Sequence, residues 1–227
     1  MCGRVRLSSE FSQIRLRLKL DDIFAPPNFQ PRWNVPPSEN LLCVVRDPER
    51  GTRRAGMMRW GLIPHFAKDP KIAYSTFNAQ AENVEKKPAF RDAWDRGHRC
   101  LVVTDGFYEW RKSDKQPFAI CVKNDLTIMA GLWSTWRSPA GEKVPTCTII
   151  TTDANVALAL LHDRMPAILP EDAWPAWLGE APATTEQLHG MMKPIPPDQM
   201  QMWPVDRRVG NVKNEGAELA IPISLGA

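Results

Sequence analysis

The chain has no apolar run approaching the ~18 residues that a membrane-spanning helix needs, and its opening, MCGRVRLSSEF, lacks the apolar stretch of a secretory signal. It has no Cys-x-x-Cys pair. The five cysteines (Cys2, Cys43, Cys100, Cys121, Cys147) are odd in number and widely spaced, and the four histidines (His65, His98, His162, His189) form no cluster of ligands. Neither a disulfide scaffold nor a zinc site is supported, and reduced thiols are expected. Nucleotide-binding glycine motifs are missing, so no cofactor is expected. Repeats, low-complexity blocks and long linkers are also missing. Net charge is small, +3 from 29 basic and 26 acidic residues, which neither demands nucleic acid nor excludes it. Arg4, Arg6, Arg15, Arg17 and Lys19 near the start read most simply as a solvated face. A soluble cytoplasmic protein follows as the expectation, with no metal.

What is present describes a globular chain. Hydrophobic residues make up 43% and charged residues 24% of 227, both near the average for folded domains. A chain of this length buries about 70% of its unfolded surface, enough for a core without staples. Twenty-one prolines favour short elements and rigid turns. Runs rich in β-branched and aromatic residues predict strands at Leu41–Arg46, Thr52–Trp60, Cys100–Thr104, Phe107–Arg111, Phe118–Lys123, Thr127–Ser134 and Cys147–Thr152. Helices are expected after a cap at Ser8 or Ser9 (Phe11, Ile14 and Leu18 on one face), over Lys87–Arg96, over Ala154–Leu161 capped by Asp153, and over Ala173–Leu178 and Glu186–Met192. The proline-broken stretch Asp22–Pro37 reads as a connection. The expected class is α+β: one domain over residues 1–227 with its core at about 2–222, a largely antiparallel barrel-like sheet and short inserted helices.

Several residues could carry chemistry. With Met1 removed, Cys2 would offer a thiol and an α-amine on one carbon skeleton, a 1,2-aminothiol that closes a thiazolidine ring on an aldehyde. An ordinary α-amine titrates at about 7.7–8.0 and a thiol near about 8.5, so both nucleophiles are accessible near neutrality. A cysteine at position two can equally be incidental. Glu109, flanked by aromatics in Phe107-Tyr108-Glu109-Trp110 after the Asp105-Gly106 turn, is either a desolvated acid–base group or an exposed edge-strand carboxylate. His162, at the end of the helix expected from Asp153, would be held charged by the helix dipole as a proton shuttle, or would simply cap. Arg164 could clamp a phosphate or pair with an acid. Asn78 could orient a ligand through its amide.

Taken in order, Met1-Cys2-Gly3-Arg4, Trp60-Gly61-Leu62-Ile63-Pro64, Asn78-Ala79 with Glu82, Asp105 to Trp110, and His162-Asp163-Arg164-Met165-Pro166 resemble the SRAP family. That family is named for SOS-response-associated peptidase and includes HMCES-type relatives. Val209 to Ala217 resembles its C-terminal strand and turn, so the resemblance runs from Cys2 to about Pro222. It implies a sensor of abasic sites in single-stranded DNA that needs no metal or cofactor, acts as a monomer and associates with the nucleoid when bound to DNA. Cys2, freed of Met1, would join the ring-opened sugar as a thiazolidine. Asn78 would hold the amine and sugar, Glu109 would shuttle protons, and His162 would assist ring opening and reversal. Thr151, eleven residues before His162, would support the site, and with Arg4, Phe66 and Arg164 it would bind the DNA. Two positions depart from the pattern: Gln80 replaces an arginine, which removes a phosphate contact, and Phe66 replaces a tryptophan, which keeps an aromatic for stacking. The other readings are a peptidase acting on protein, its own Met1 included, and a module binding single strands without covalent chemistry.

Overall fold

Stretches of β-branched and aromatic residues cut by Gly, Pro and Asn become strands in the computed structural model, which describes residues 2–225. In chain order the first six are β1 (Val5–Leu7), β2 (Arg32–Val35), β3 (Asn40–Arg46), β4 (Arg53–Trp60), β5 (Asn78–Gln80) and β6 (Arg99–Thr104). Then follow β7 (Gly106–Trp110), β8 (Pro117–Val122), β9 (Thr127–Arg137), β10 (Lys143–Asp153), β11 (Arg164–Pro166) and β12 (Met200–Pro204). The inserted helices are α1 (Phe11–Leu18), α2 (Pro88–Asp95), α3 (Trp174–Leu178) and α4 (Thr185–Met191).

Strands β4, β3, β6 and β9 pair antiparallel in that order. β10 closes the ring, antiparallel to β9 and parallel to β4, which makes a five-stranded barrel. A second sheet, antiparallel throughout, has the order β12-β8-β7-β1-β2. The α+β class with a largely antiparallel barrel is therefore the observed one; β10 makes its parallel pairings with β4 and β5.

Strand alternation sorts the side chains into two cores. Leu42 and Val44 of β3 pack with Ile14, Leu18, Trp94 and Trp177 of the helices, which cover the outside of the barrel. The intervening Leu41, Cys43 and Val45 belong to the other cluster, with Cys100 and Cys147 from neighbouring strands. Cys2 and Phe107 join this second cluster, so the packing of the barrel also fixes the start of the chain.

Four expectations need correction. Ser8 and Ser9 do not cap α1; Glu10 stands at that position, and both serines bond Asp105 instead. The connection Asp22–Pro37 contains β2, which forms because Val35 pairs with Val5 thirty residues earlier. Ala154–Leu161 is not an α-helix. Asp153 ends β10 with its carboxylate on Arg164, and the Asn155 Oδ1 accepts from the Leu158 N–H. Only a 3₁₀ turn forms, at Leu158–Leu160, and Val156 and Leu160 are 79% and 71% exposed. Finally, the region expected as a C-terminal strand and turn holds 3₁₀ turns at Arg207–Gly210 and Ala217–Ala220. Among the described residues, no helix is long and apolar enough to cross a membrane.

Candidate active site

The site is assembled where β1 meets β7. Val5 lies opposite Phe107 and Arg6 opposite Gly106, and the Tyr108 N–H donates to the Arg4 carbonyl. Continuing that register brings the start of the chain alongside Glu109. Two devices hold it there. The Asp105 carboxylate accepts from the backbone N–H and hydroxyl of both Ser8 and Ser9, at 2.6–3.0 Å. Gly106 has φ +153°, and a Cβ there would stand 2.4 Å from the Ile120 carbonyl oxygen, so only glycine lets β7 turn in against β8.

Cys2 is fully buried, and Asn78 Nδ2 donates to its carbonyl oxygen at 2.7 Å. Asn78 is delivered by β5, which runs parallel to β10 with Ile149 opposite Asn78 and Thr151 opposite Gln80. The Asn78 Oδ1 is buried and accepts no hydrogen bond among the described residues. Burial pushes the Cys2 thiol well above the usual range, and the nearby Glu109 carboxylate pushes it the same way. Glu109 is 6% exposed. Burial raises its pKa, while the Trp110 N–H and Lys112 pull in the other direction.

His162 follows the 3₁₀ turn rather than a helix, so the expectation of a cation held by a helix dipole is corrected. Burial lowers its pKa, and Lys112 lowers it further. Its Nδ1 accepts from the Arg164 N–H at 3.0 Å, so the neutral ring carries its proton on Nε2. Lys112 draws the pKa of both Glu109 and His162 downward. Lys112 also pairs with Asp163. In the sequence its one signal is its place three residues past Glu109.

The residues expected to bind DNA fare differently. Arg4 is 8% exposed and turned inward, donating to Asn34 Oδ1 and the Val209 carbonyl, each at 2.6 Å. It ties chain segments together, and neither it nor the buried Arg6 belongs to a solvated basic face. Thr151 is fully buried with its hydroxyl donating to the Ala79 carbonyl, so it braces β5 behind Asn78 and offers no exposed contact. Arg164 is largely covered, bonded to Glu82, Asp153 and the Thr151 carbonyl. Phe66 is 55% exposed on the loop after β4, with His65 packed against its edge. Gln80, at the arginine position, is half-buried and carries no charge there. Met1, whose loss the aminothiol requires, lies outside the described residues. No group of three or more His, Cys, Asp or Glu side chains suited to a metal ion occurs among those described.

Fold and site together define an α+β barrel protein whose second residue, a cysteine, is held by an amide beside a buried carboxyl. The model of the SOS response associated peptidase (SRAP) family matches residues 1–212, and the chain belongs to that family. It is 40% identical to the abasic site processing protein YoaM of Bacillus subtilis, over 96% of this chain and 97% of that one. It is 31% identical to the abasic site processing protein HMCES of Gallus gallus, over the whole of this chain and 79% of that one. A crystal structure of a Bacteroides thetaiotaomicron protein superposes with a TM-score of 0.85 at 23% identity, covering 98% of this chain and all of that one, a likeness of fold.

Proposed function

We propose that this protein captures abasic sites in single-stranded DNA by forming a covalent thiazolidine through Cys2 once Met1 is removed. The observation that carries the reading is the convergence of Asn78 and Glu109 on Cys2: an amide bonded to its carbonyl and a carboxyl close enough to shift its thiol. The names of the relatives as abasic site processing proteins support the substrate.

The chemistry balances without a further reagent. The freed α-amine adds to the C1 aldehyde of the ring-opened sugar and loses water to give an imine. The thiol then adds to the imine carbon; its sulfur forms the C–S bond and its proton ends on nitrogen. Glu109, buried and with its pKa raised by that burial, is suited to exchanging protons with the amine and the thiol. Asn78 Oδ1, an acceptor without a partner among the described residues, would take an N–H of the amine. Neutral His162, with its proton on Nε2, would donate to the sugar ring oxygen during opening. Phe66 would meet the bases, and Arg164 would reach a phosphate by sharing with Glu82. The proteolytic event that the reading requires is loss of Met1, the point where the family's description as a peptidase touches this chain. The setting would be the cytoplasm, with the protein on the nucleoid when bound to DNA.

The test is a denaturing gel of the native-ended protein with single strands bearing one abasic site or none. A band shifted by the protein's mass is expected with the abasic strand alone, and Cys2→Ala should abolish it. A crosslink surviving Cys2→Ala, or none forming from protein whose intact mass shows Met1 gone, defeats the proposal.

A further inference from the structure

The opposite end of the barrel carries a second concentration of chemistry. β6 leaves the barrel at Thr104 and leads through Asp105 into β7 and Glu109, whereas it enters at Arg99. Six residues of strand at about 3.3 Å each separate these ends by roughly 17 Å. At the Arg99 end, β3 finishes with Arg46 and β4 begins, because Arg46 pairs with Arg53 and β3 runs antiparallel to β6. A cleft of about 330 Å³ opens here, lined by Arg46, Arg54, Arg96 and Arg99 together with His98 and Trp133. Among the described residues, no acidic one lines it.

These cations are not equally neutralised. Arg54 reaches Asp47 at 3.5 Å and Arg96 reaches Asp92 at 2.8 Å, both pairs partly in solvent. Arg99 donates from Nε to the Trp177 carbonyl and lies over the Trp94 and Trp177 rings. Burial alone lowers its pKa, the mark of a cation drawn into the protein without a carboxylate beside it. Trp133 is stacked on His98, with centroids 4.4 Å apart, forming an aromatic wall between the arginines. Four guanidiniums around one cleft exceed what a single small anion can engage. Guanidinium also favours phosphate oxygens through paired N–H donors.

We propose that this cleft is a second phosphate-binding site that holds the backbone of a nucleic-acid strand away from Cys2. The choice of a polynucleotide rests on the reading of the function above. The site would explain how a chain with Gln80 at the arginine position keeps hold of DNA: it places backbone contacts on the far rim.

The test measures binding of a long undamaged single strand across a salt series, for wild type and for Arg46→Gln/Arg54→Gln. Both substituted arginines are exposed, and an unchanged unfolding midpoint will show the variant intact. Each phosphate contact contributes about 0.7 to the slope of log affinity against log salt for single strands, so the double variant should bind more weakly with a slope shallower by about 1.4. The same variant should crosslink a short abasic strand at the wild-type rate. An unchanged slope overturns the proposal, as does loss of the short-strand crosslink, which would put the arginines at the abasic site. Calorimetry with inorganic phosphate and a nucleoside monophosphate distinguishes the source: arginine-dependent binding of either that the long strand cannot displace also overturns it. Cys2→Ala separates this proposal from the last: it should abolish the crosslink and leave the slope as in wild type. Crosslinking with no slope change would sink only the cleft, and a slope change with no crosslinking only the trap.

Discussion

Glu109 combines a central strand, near-complete burial and an ionisable group, and the combination has a pH signature. A carboxyl whose pKa is raised on folding stabilises the fold below its unfolded value, and that contribution is lost as pH rises through the folded value. Glu109→Gln has the same shape and never ionises. The two proteins should therefore match in acid, and the variant should become the more stable as pH rises past the ordinary glutamate value of about 4.3. Urea titrations between about pH 4 and 8 will show this, and a constant difference would mean that burial does not govern Glu109. His162 responds oppositely: with its pKa lowered, the stability it contributes is lost on acidification below the ordinary histidine range. The sequence offered Glu109 through its aromatic neighbours and Cys2 through its position. It could not show that Arg4 turns inward, because the Asn34 and Val209 acceptors lie 30 and 205 residues away.

Elements were legible in proportion to their length and to how local their partners are. β3, β6, β9 and β10 are longer runs that mix β-branched with other apolar residues and could be read directly. β1, β5 and β11 have three residues each, too few for a period, and exist only because distant strands supply their hydrogen bonds. The Ala154–Leu161 segment had the spacing of a helix, but Asn155 is anchored to the Ile195 carbonyl and Asp153 to Arg164, so side-chain bonds override propensity there. At this scale the junction between β6 and β7 is the sensitive point. Gly106→Ala places a methyl against the Ile120 carbonyl at a positive φ, and should cost about 1–3 kcal/mol in urea unfolding. Because β7 carries Glu109, the variant should also crosslink more slowly at temperatures where it remains folded. Wild-type stability in this variant would show that the strand shifts to relieve the contact.

Across the whole molecule, the two ends of the chain converge on one buried side chain. Asn34 of β2 accepts from Arg4 at 2.6 Å and donates from Nδ2 to the carbonyls of Val209, Asn211 and Asn214 at 2.9–3.3 Å. The C-terminal segment is thereby drawn over the second sheet, where Val205, Val209 and Leu219 pack on Tyr108 and Ala119 beneath the strand of Glu109. Trp203 donates to the Ala220 carbonyl and Arg32 pairs with Glu215, which closes the wrap. The geometry of the site thus depends on residues more than 200 positions from Cys2. Asn34→Ala leaves a buried guanidinium without one acceptor and several carbonyls without their donor, so a loss of at least about 2 kcal/mol is expected. The loss should be uneven, since the interior of the barrel does not rest on Asn34. Limited proteolysis of the variant should cut first between Val205 and Pro222, leaving residues of the barrel intact, and crosslinking should decline as that segment is released. Cleavage spread evenly along the chain would show instead that the two sheets unfold together and that Asn34 is one contact among many.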